Sequence, residues 1–435
     1  MSFRPLIRVS SVAALVMSVV LTGTAVADDV LDVTRLPNNF PFLDQAGTAA
    51  TFSTAGFVDL SNAFHVPQGA NGRSCESCHL AQAGWSIRPA DVELKFLLTR
   101  GTDPIFNLLD ANSPSADVST VQARRSAYSM LRKGLFRRNG NLAADAEFDI
   151  VHVDDPLHAG ASSAHFEFFR RPLATANFHI ARNVGWHDQN GDPSGNLHKG
   201  LLSQAAGNIM GGQQGPPVPP ADIVESIVVY EEGLNFAQQF VFDVGSLTSC
   251  GARGGPENLA AQPPVAGRFD LYDAWLDLVP GTCTTRSADR KRAQIARGQE
   301  LFNNGTVNDE GVTKKCSGCH STANNGSNAI GTLFDVGASA AELRQPGMPL
   351  YTLRNRASGD IRLTTDPGRA VKSGKWADVD KFKVPSLRGL SARAPYFHNG
   401  SAATLKEVVR HYEAALKFKF SDEQREDLVA FLEAL

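Results

Sequence analysis

The clearest periodicity of hydrophobic and polar positions lies near the C-terminus of the chain. The capping box Thr404-Leu-Lys-Glu407 predicts the start of a helix. Its apolar face consists of residues at helical spacing, namely Leu405, Val408, Val409 and Tyr412. His411, one position earlier, points about 100° away from Tyr412. A second box, Ser421-Asp-Glu-Gln424, predicts a following helix whose inward positions are Leu428, Phe431, Leu432 and Leu435.

Weaker patterns place further elements upstream. Residues 126–135 and 287–302 have helical periodicity, and a helix starting at Asp222 places Ile223, Ile227, Tyr230 and Leu234 on one face. Near-alternation of apolar residues within 139–155 predicts an extended segment, and the glycine- and proline-rich stretch 211–220 predicts a loop. Together the patterns predict a mainly α fold with long loop insertions in the first half of the chain.

Composition sets the broad class of protein. The chain has 435 residues, 42% of them hydrophobic, and a formal net charge of −3. It is long enough for more than one domain with its own core. Because the charge is close to neutral, we expect no nucleic-acid partner.

The N-terminus resembles a secretory signal peptide, which we assign to residues 1–27. Arg4 and Arg8 precede an apolar run from Val12 to Leu21, and Ala25-Val-Ala27 offers a cleavage site. The run is too short to span a membrane. We therefore expect an exported, soluble mature protein without a membrane span, and retention of the run as an N-terminal anchor is the alternative.

Two five-residue motifs carry the chemistry. Cys75-Glu-Ser-Cys78-His79 and Cys316-Ser-Gly-Cys319-His320 both match C-x-x-C-H, the attachment signature of c-type haem. The thiols bond to the haem vinyl groups, and the adjacent histidine ligates the iron. A zinc site would need further soft ligands beside each motif, and the neighbouring sequence has none. We therefore predict two covalently bound haem c groups, with Cys75, Cys78, Cys316 and Cys319 as attachment residues and His79 and His320 as iron ligands.

The spacing of the motifs divides the chain. His79 and His320 are too far apart for one small cytochrome domain, so we predict two cytochrome c-like haem domains, residues 28–285 and 286–435. Covalent haem on an exported protein indicates a bacterial periplasm. In that oxidising compartment the two remaining cysteines, Cys250 and Cys283, are candidates for a disulfide.

Several short motifs in the second half carry a resemblance to a known family. They are Asp366-Pro-Gly-Arg369, Phe382-Lys-Val-Pro-Ser-Leu-Arg388, Ala394-Pro-Tyr-Phe-His-Asn-Gly400 and Thr404-Leu-Lys-Glu-Val-Val-Arg-His-Tyr412. Over residues 290–435 the chain resembles the bacterial di-haem cytochrome c peroxidase and MauG family. In the first half the resemblance is looser and depends on the haem motif, Arg170-Arg-Pro172 and Trp186.

The resemblance implies different roles for the two haems. The N-terminal haem reacts with hydrogen peroxide, and the C-terminal haem is six-coordinate and passes electrons. The family's sixth ligand is methionine in the peroxidases and tyrosine in MauG-type enzymes, and at that position this chain has Tyr412. The apolar face of the helix also turns Tyr412 inward. The alternative ligands are Met348, His398 and His411.

The peroxide site departs from the family pattern. The family places a glutamate shortly after an F/W-D-G-R turn, where it moves the proton of the bound peroxide. Here Trp186 is followed by His187-Asp-Gln-Asn-Gly191, with no glutamate close behind. The distal acid–base candidates are therefore His187, Asp188 and Glu167.

The resemblance further implies a bridging tryptophan, a calcium ion and a redox partner. Trp85 and Trp186 are the candidates for the bridge, and backbone carbonyls at Arg393 and Pro395 occupy the family's calcium positions. The implied function is reduction of hydrogen peroxide with electrons from a small redox protein, a cytochrome c or a copper protein. The alternatives are MauG-type oxidation of a protein or organic substrate, and a non-enzymatic di-haem electron carrier.

Overall fold

The computed structural model describes residues 34–158, 163–178, 182–262, 265–309 and 311–435. The signal peptide predicted at residues 1–27 lies outside the described residues. Within these ranges no helix has both the length and the apolar character needed to cross a membrane.

The prediction of a mainly α fold is wrong, because the structure is 34% helical and 18% strand. The α-helices are, in chain order, α1 (Pro89–Thr99), α2 (Val121–Ala127), α3 (Leu197–Gly207), α4 (Ala221–Gly233), α5 (Gly255–Ala261), α6 (Arg286–Asn304), α7 (Cys316–Cys319), α8 (Ala370–Ser373), α9 (Leu405–Leu416) and α10 (Asp422–Glu433). A π-helical turn, Asn208–Gly212, continues α3.

The strands are short and are spread along the whole chain. They are β1 (Arg35–Pro37), β2 (Phe42–Leu43), β3 (Gly47–Ser53), β4 (Phe57–Asp59), β5 (Phe136–Asn141), β6 (Phe148–Asp154), β7 (His165–Arg170), β8 (Leu234–Val241), β9 (Gly245–Ser246), β10 (Val307–Asp309), β11 (Val312–Lys314), β12 (Leu333–Phe334), β13 (Leu350–Asn355), β14 (Ile361–Thr364) and β15 (Phe382–Lys383). Most have too few residues to show a period-2 pattern in the sequence, which is why the pattern underestimated them.

Small antiparallel sheets join distant parts of the chain. The order β2-β3-β8-β9 places Thr51 opposite Phe236, and the order β14-β13-β6 places Leu353 opposite Ile150. Strands β5 and β7 form a two-stranded sheet beside them. Since β6 pairs with β13, a strand of the predicted first domain lies in a sheet with two strands of the second. The division at residues 285 and 286 stays a prediction.

The predicted C-terminal helices are confirmed, together with both capping boxes. Helix α6 crosses α10 at Gly298, where an added Cβ would lie 1.9 Å from the carbonyl oxygen of Asp427. Only glycine permits this approach. Arg297 and Asp427 then join the two helices through paired hydrogen bonds of 2.9 Å. This packing closes a core that contains Phe302 and Phe431.

The remaining predicted elements are confirmed in part. Helix α4 covers the helix predicted from Asp222, and 139–155 contains the end of β5 and all of β6. The helix predicted over 126–135 is wrong in its bounds, because α2 ends at Ala127 and only a 3₁₀ turn, Leu131–Lys133, follows. Cys250 and Cys283 form a disulfide, with Cα atoms 6.1 Å apart.

Candidate haem-binding sites

The first C-x-x-C-H motif lies on a tight turn. Residues Cys75–Ser77 form a 3₁₀ turn, and the amides of Cys78 and His79 both donate to the Cys75 carbonyl, at 3.2 and 3.1 Å. This turn brings the two thiols and the His79 ring to one cavity, which we call the first cavity. The second motif forms the short helix α7, and the amide of His320 donates to the Cys316 carbonyl at 3.0 Å. Cys316, Cys319 and His320 line the second cavity.

The two histidines are oriented by the same device. Nδ1 of His79 donates to the carbonyl of Trp85, and Nδ1 of His320 donates to the carbonyl of Gly326, in each case six residues later. Both acceptor residues have left-handed backbone, with φ of 58° and 68°. Because a carbonyl can only accept, each ring carries its proton on Nδ1 and leaves Nε2 free for a metal. Burial lowers the pKa of both imidazoles to about 4, so both are neutral.

The residues fit covalent haem. Cys75, Cys78, Cys316 and Cys319 are all free thiols, and burial raises the pKa of each. Each cavity therefore offers a pair of protonated thiols beside a neutral imidazole, which is the donor set that c-type haem attachment uses.

A set of residues lines both cavities, and we call it the shared wall. It consists of Arg171, Pro172, Leu173, Trp186 and Lys383. Trp186 is held in place by a 2.7 Å hydrogen bond from its indole N–H to the Arg171 carbonyl. Trp85, the other candidate for a bridge, lines neither cavity. Its ring is fully buried against Phe64 and Tyr230, and its role is to supply the carbonyl that orients His79.

The second cavity contains Tyr412 and excludes two of its rivals. Tyr412 lies on α9 and lines the cavity together with His320. His411 does not line the cavity, and its Nε2 contacts the Val336 carbonyl at 2.7 Å. Met348 is buried in a separate apolar cluster with Met130 and Phe169. His398 does line the cavity, but its ring is stacked on Phe382 at 4.0 Å and its Nε2 faces Ser339 and Asp366.

Two of the three distal candidates lie outside the first cavity. Glu167 is on β7, where alternation turns Phe168 and Arg170 toward the cavity and Glu167 to the other face. Glu167 pairs at 3.1 Å with Arg137, which does line the first cavity. Asp188 accepts a 3.1 Å hydrogen bond from the Val184 amide and pairs with Arg369, so it holds the turn after Trp186.

His187 is the candidate that lines the first cavity. Its Nδ1 accepts a hydrogen bond from the guanidinium of Arg170, which is itself paired with Asp366. An arginine can only donate, so the proton of the His187 ring is on Nε2. Burial and the Arg170 charge lower the pKa of His187 to about 3. The ring can therefore donate a hydrogen bond from Nε2 but is not set up to take a proton there.

Glu231 is a cavity residue that the sequence reasoning missed. It lies on α4, is 2% exposed, lines the first cavity, and its Oε2 has no hydrogen-bond partner. Burial raises its pKa to about 8, with a smaller contribution from Glu232. The signal was available, because Glu231 follows Ile227 by one helical turn on the apolar face of the predicted helix. A glutamate is almost never fully buried unless it is paired, so its position on the apolar face of a helix indicates a specific role.

The chain was compared with protein-family models, curated proteins and solved structures. No family model matches the chain. Cytochrome-c peroxidase IdrP2 of Denitromonas iodatirespirans is 33% identical over 133 residues, which cover 28% of this chain and 35% of that protein. The cytochrome c551 peroxidase of Nitrosomonas europaea is 41% identical over 86 residues (20% and 23%), and the methylamine utilization protein MauG of Methylophilus methylotrophus is 40% identical over 90 residues (18% and 27%).

A solved structure of a MauG-like protein associated with microbial copper homeostasis covers 63% of this chain and 75% of its own, at 18% identity and a TM-score of 0.35. The matches to the three curated relatives named above span at most 35% of their length. The resemblance seen in the sequence is nevertheless confirmed, because the curated homologues of the chain are di-haem cytochrome c peroxidases and MauG. These homologues are oxidoreductases, and they imply covalently bound haem c.

Proposed function

We propose that the protein is a periplasmic di-haem c-type oxidoreductase that reduces hydrogen peroxide in the first cavity. Electrons come from a small redox protein, a cytochrome c or a copper protein, by way of the second cavity. The observation that carries the proposal is the pair of cavities, each with a complete C-x-x-C-H motif and an identically anchored histidine, separated by one shared wall. Each of the two predicted domains, residues 28–285 and residues 286–435, would bind one haem.

Bound haem would supply an iron that coordinates peroxide and exchanges electrons. The chain supplies the rest. His79 and His320 would each hold an iron through Nε2, and Tyr412 would add a further iron ligand in the second cavity. In the first cavity the side away from His79 would have no protein ligand for the iron. The polar residues there would instead donate and accept protons.

Glu231 and His187 are the residues that handle protons in the first cavity. Reduction of peroxide to water requires a proton on the departing oxygen. Glu231 is protonated at neutral pH because of its raised pKa, and its unpartnered Oε2 can give that proton and take back the one released from the other peroxide oxygen. His187 donates a hydrogen bond from Nε2, which holds the ligand without exchanging a proton.

MauG-type oxidation of a protein or organic substrate is the second candidate function. The observation that favours it is Tyr412 in the second cavity, since an anionic oxygen ligand lowers the potential of a haem and favours oxidised iron. A plain electron carrier, the third possibility, would need a second protein ligand for the iron of the first cavity as well.

The test begins with the oxidised, purified protein. A pyridine haemochrome assay should give two haems per chain, and changing both Cys316 and Cys319 to Ala should leave one. Electron paramagnetic resonance should show one high-spin and one low-spin iron. Hydrogen peroxide should then change the high-spin signal within the mixing time.

Turnover separates the candidate functions. Steady peroxide consumption with a reduced cytochrome c or cupredoxin supports the peroxidase. Oxidising equivalents that persist until a protein substrate is added support the MauG-type reaction. Two low-spin irons that do not respond to peroxide would exclude both and leave the electron carrier.

A further inference from the structure

A protein cation contacts one of the two carbonyls expected to hold calcium, that of Arg393. The carbonyl of Arg393 accepts a 3.2 Å hydrogen bond from Nη2 of Arg171, and the same nitrogen donates to the Ile87 carbonyl at 2.7 Å. Arg393 and Pro395 both line the second cavity. A carbonyl that is turned toward a guanidinium, beside a second guanidinium, does not fit a divalent cation, because the like charges would repel.

Three basic side chains line the second cavity, and two of them line the first cavity as well. Arg171 and Lys383 belong to the shared wall and are only 4% and 8% exposed, and Arg393 is half-buried against the second cavity. The Lys383 ammonium donates to the Asn183 carbonyl at 2.7 Å, and Arg393 donates to the Ser386 carbonyl. Among the described residues, no carboxylate forms an ion pair with any of the three.

The cations also keep unused donors. Nη1 of Arg171 and Nε of Arg393 are buried without a hydrogen-bond partner. The pKa of both guanidinium groups is lowered to about 10, mainly by burial, and for Arg171 the charge of Arg393 is a second cause. Burial likewise lowers the pKa of Lys383 to about 8. A buried charge without a counter-charge is unfavourable, so an anion bound in the cavities would stabilise these cations.

Other buried arginines of the chain show what these three lack. Four of them are each paired with a buried carboxylate, in the pairs Arg73–Asp110, Arg137–Glu167, Arg170–Asp366 and Arg292–Asp289. Arg388 is a buried arginine that instead donates to the carbonyls of Asn324 and Gly255, and it lines neither cavity. Arg137, Arg292 and Arg388 also have a buried Nε without a hydrogen-bond partner. What distinguishes Arg171 and Arg393 is that they line a cavity and have no carboxylate partner.

We propose that Arg171, Arg393 and Lys383 replace the calcium ion between the haems and bind the propionate carboxylates of both haem groups. Each haem would bring two carboxylates, and Arg171 and Lys383 line both cavities. The inference depends on the two haems of the proposed function. It goes beyond that function because it proposes that protein side chains, and not a calcium ion, supply the positive charge between the haems.

Metal analysis tests the first half of this proposal. The holoprotein is treated with a calcium chelator, desalted and analysed by plasma mass spectrometry, and its paramagnetic resonance spectrum and midpoint potentials are recorded with and without added Ca²⁺. We expect no bound calcium and no change on adding it. One calcium per chain whose removal alters the spectrum or the potentials would overturn the replacement.

Substitutions test the second half. Arg171→Met and Lys383→Met each remove a positive charge that stabilises the reduced irons, so both midpoint potentials should fall. Arg171→Lys keeps the charge and should stay near the wild-type potentials, as should the control Arg388→Met, which removes a buried guanidinium outside both cavities. If Arg171→Met does not fold, Lys383→Met and the metal analysis still decide the question.

Haem content is measured in every variant. Fewer than two haems in the wild type would contradict the proposed function. Two haems with potentials unchanged in both Met variants would contradict only the carboxylate-binding role of these cations.

Discussion

At the scale of single residues, His79 and His320, the predicted iron ligands, are held in one orientation by the same hydrogen bond. Each ring is held through Nδ1 by a backbone carbonyl that cannot rotate away, because its residue is fixed in left-handed backbone. A side-chain acceptor would allow the ring to turn. The same solution in both halves, six residues after each histidine, is what duplication of one haem-binding unit would produce.

Tyr412 is predicted to ligate the second iron. Tyr412→Phe removes the phenolic oxygen but keeps the ring, so the packing of α9 should be preserved while the low-spin signal of the second haem becomes high-spin. Paramagnetic resonance of the oxidised protein measures this. His411→Phe, a change just outside the same cavity, is the control and should leave the signal as it is. An unchanged spectrum in Tyr412→Phe would make His398 the next residue to test.

Glu231 is predicted to give the first cavity its pH dependence. Its carboxyl group donates a hydrogen bond below its pKa of about 8 and is an anion above it. The rate of the peroxide reaction and the affinity for fluoride should therefore both fall as the pH rises through this pKa. Glu231→Gln still donates but cannot exchange a proton, so it should slow the peroxide reaction by about 10²-fold or more while keeping fluoride affinity.

The charged groups around Glu231 must be considered in that experiment. Glu232 lies on the same helix, and His198 on α3 pairs with Glu232. Across the first cavity lie Arg73, Asp110, Arg137, Arg138, Arg170, Arg171, His187 and Lys383. Glu232→Gln is the control. In this variant the peroxide rate and the fluoride affinity should still fall as the pH rises through the pKa of Glu231. A step that persists in Glu231→Gln would assign it to another of these groups.

At the scale of elements, α9 carries both a ligand candidate and a complete capping box. Oγ1 of Thr404 accepts from the Glu407 amide at 3.2 Å, and the Glu407 carboxylate accepts from the Thr404 amide at 3.3 Å. We predict that Thr404→Ala lowers the free energy of unfolding by about 1 kcal/mol, whereas Thr404→Ser, which keeps the hydroxyl, changes it little. Denaturant unfolding of the holoprotein measures both. Equal stability of the two variants would show that packing alone holds the start of α9.

The elements also show what the sequence can predict. Helices α6, α9 and α10 follow from local signals, since caps and apolar faces lie within one segment of chain. Strands β3 and β8, by contrast, depend on a partner almost two hundred positions away, as in the pair Thr51 and Phe236. The haem motifs are likewise local, whereas the shared wall takes Arg171 from one half and Lys383 from the other. Only tertiary structure could bring those two residues together.

At the scale of the whole molecule, a buried ion pair links the halves. Arg170 contacts Asp366 through Nε and Nη2 at 2.5 and 2.7 Å, with His187 on one side and His398 on the other. These two histidines line the first and the second cavity respectively. The pair therefore fixes groups in both cavities at once.

Asp366→Asn is predicted to destabilise the protein and to disturb both cavities. Breaking a buried pair leaves Arg170 uncompensated, at a cost of roughly 3 kcal/mol or more. Burial alone would raise the pKa of Asp366, but Arg170 lowers it below the usual range. Its stabilisation is thus complete above the pKa of an unfolded aspartate and is lost on acidification, so the variant should lose less stability in acid than the wild type.

Thermal unfolding and the spectra of both haems check this prediction. Asp154→Asn breaks an exposed pair with Arg344 and is the matched control. It should change neither the thermal unfolding nor the spectra of the haems. If Asp366→Asn altered the spectrum of one haem only, the pair would not couple the two cavities.

The sheet that joins β6 to β13 has a consequence for the way the protein is made. The first half is synthesised before β13 and Lys383, so a first half that folded alone would lack the strand that pairs with β6 and one lining residue of its own cavity. If haem were attached to Cys75 and Cys78 at that stage, the cavity around it would stay incomplete, and more open to water, until the C-terminal half had folded.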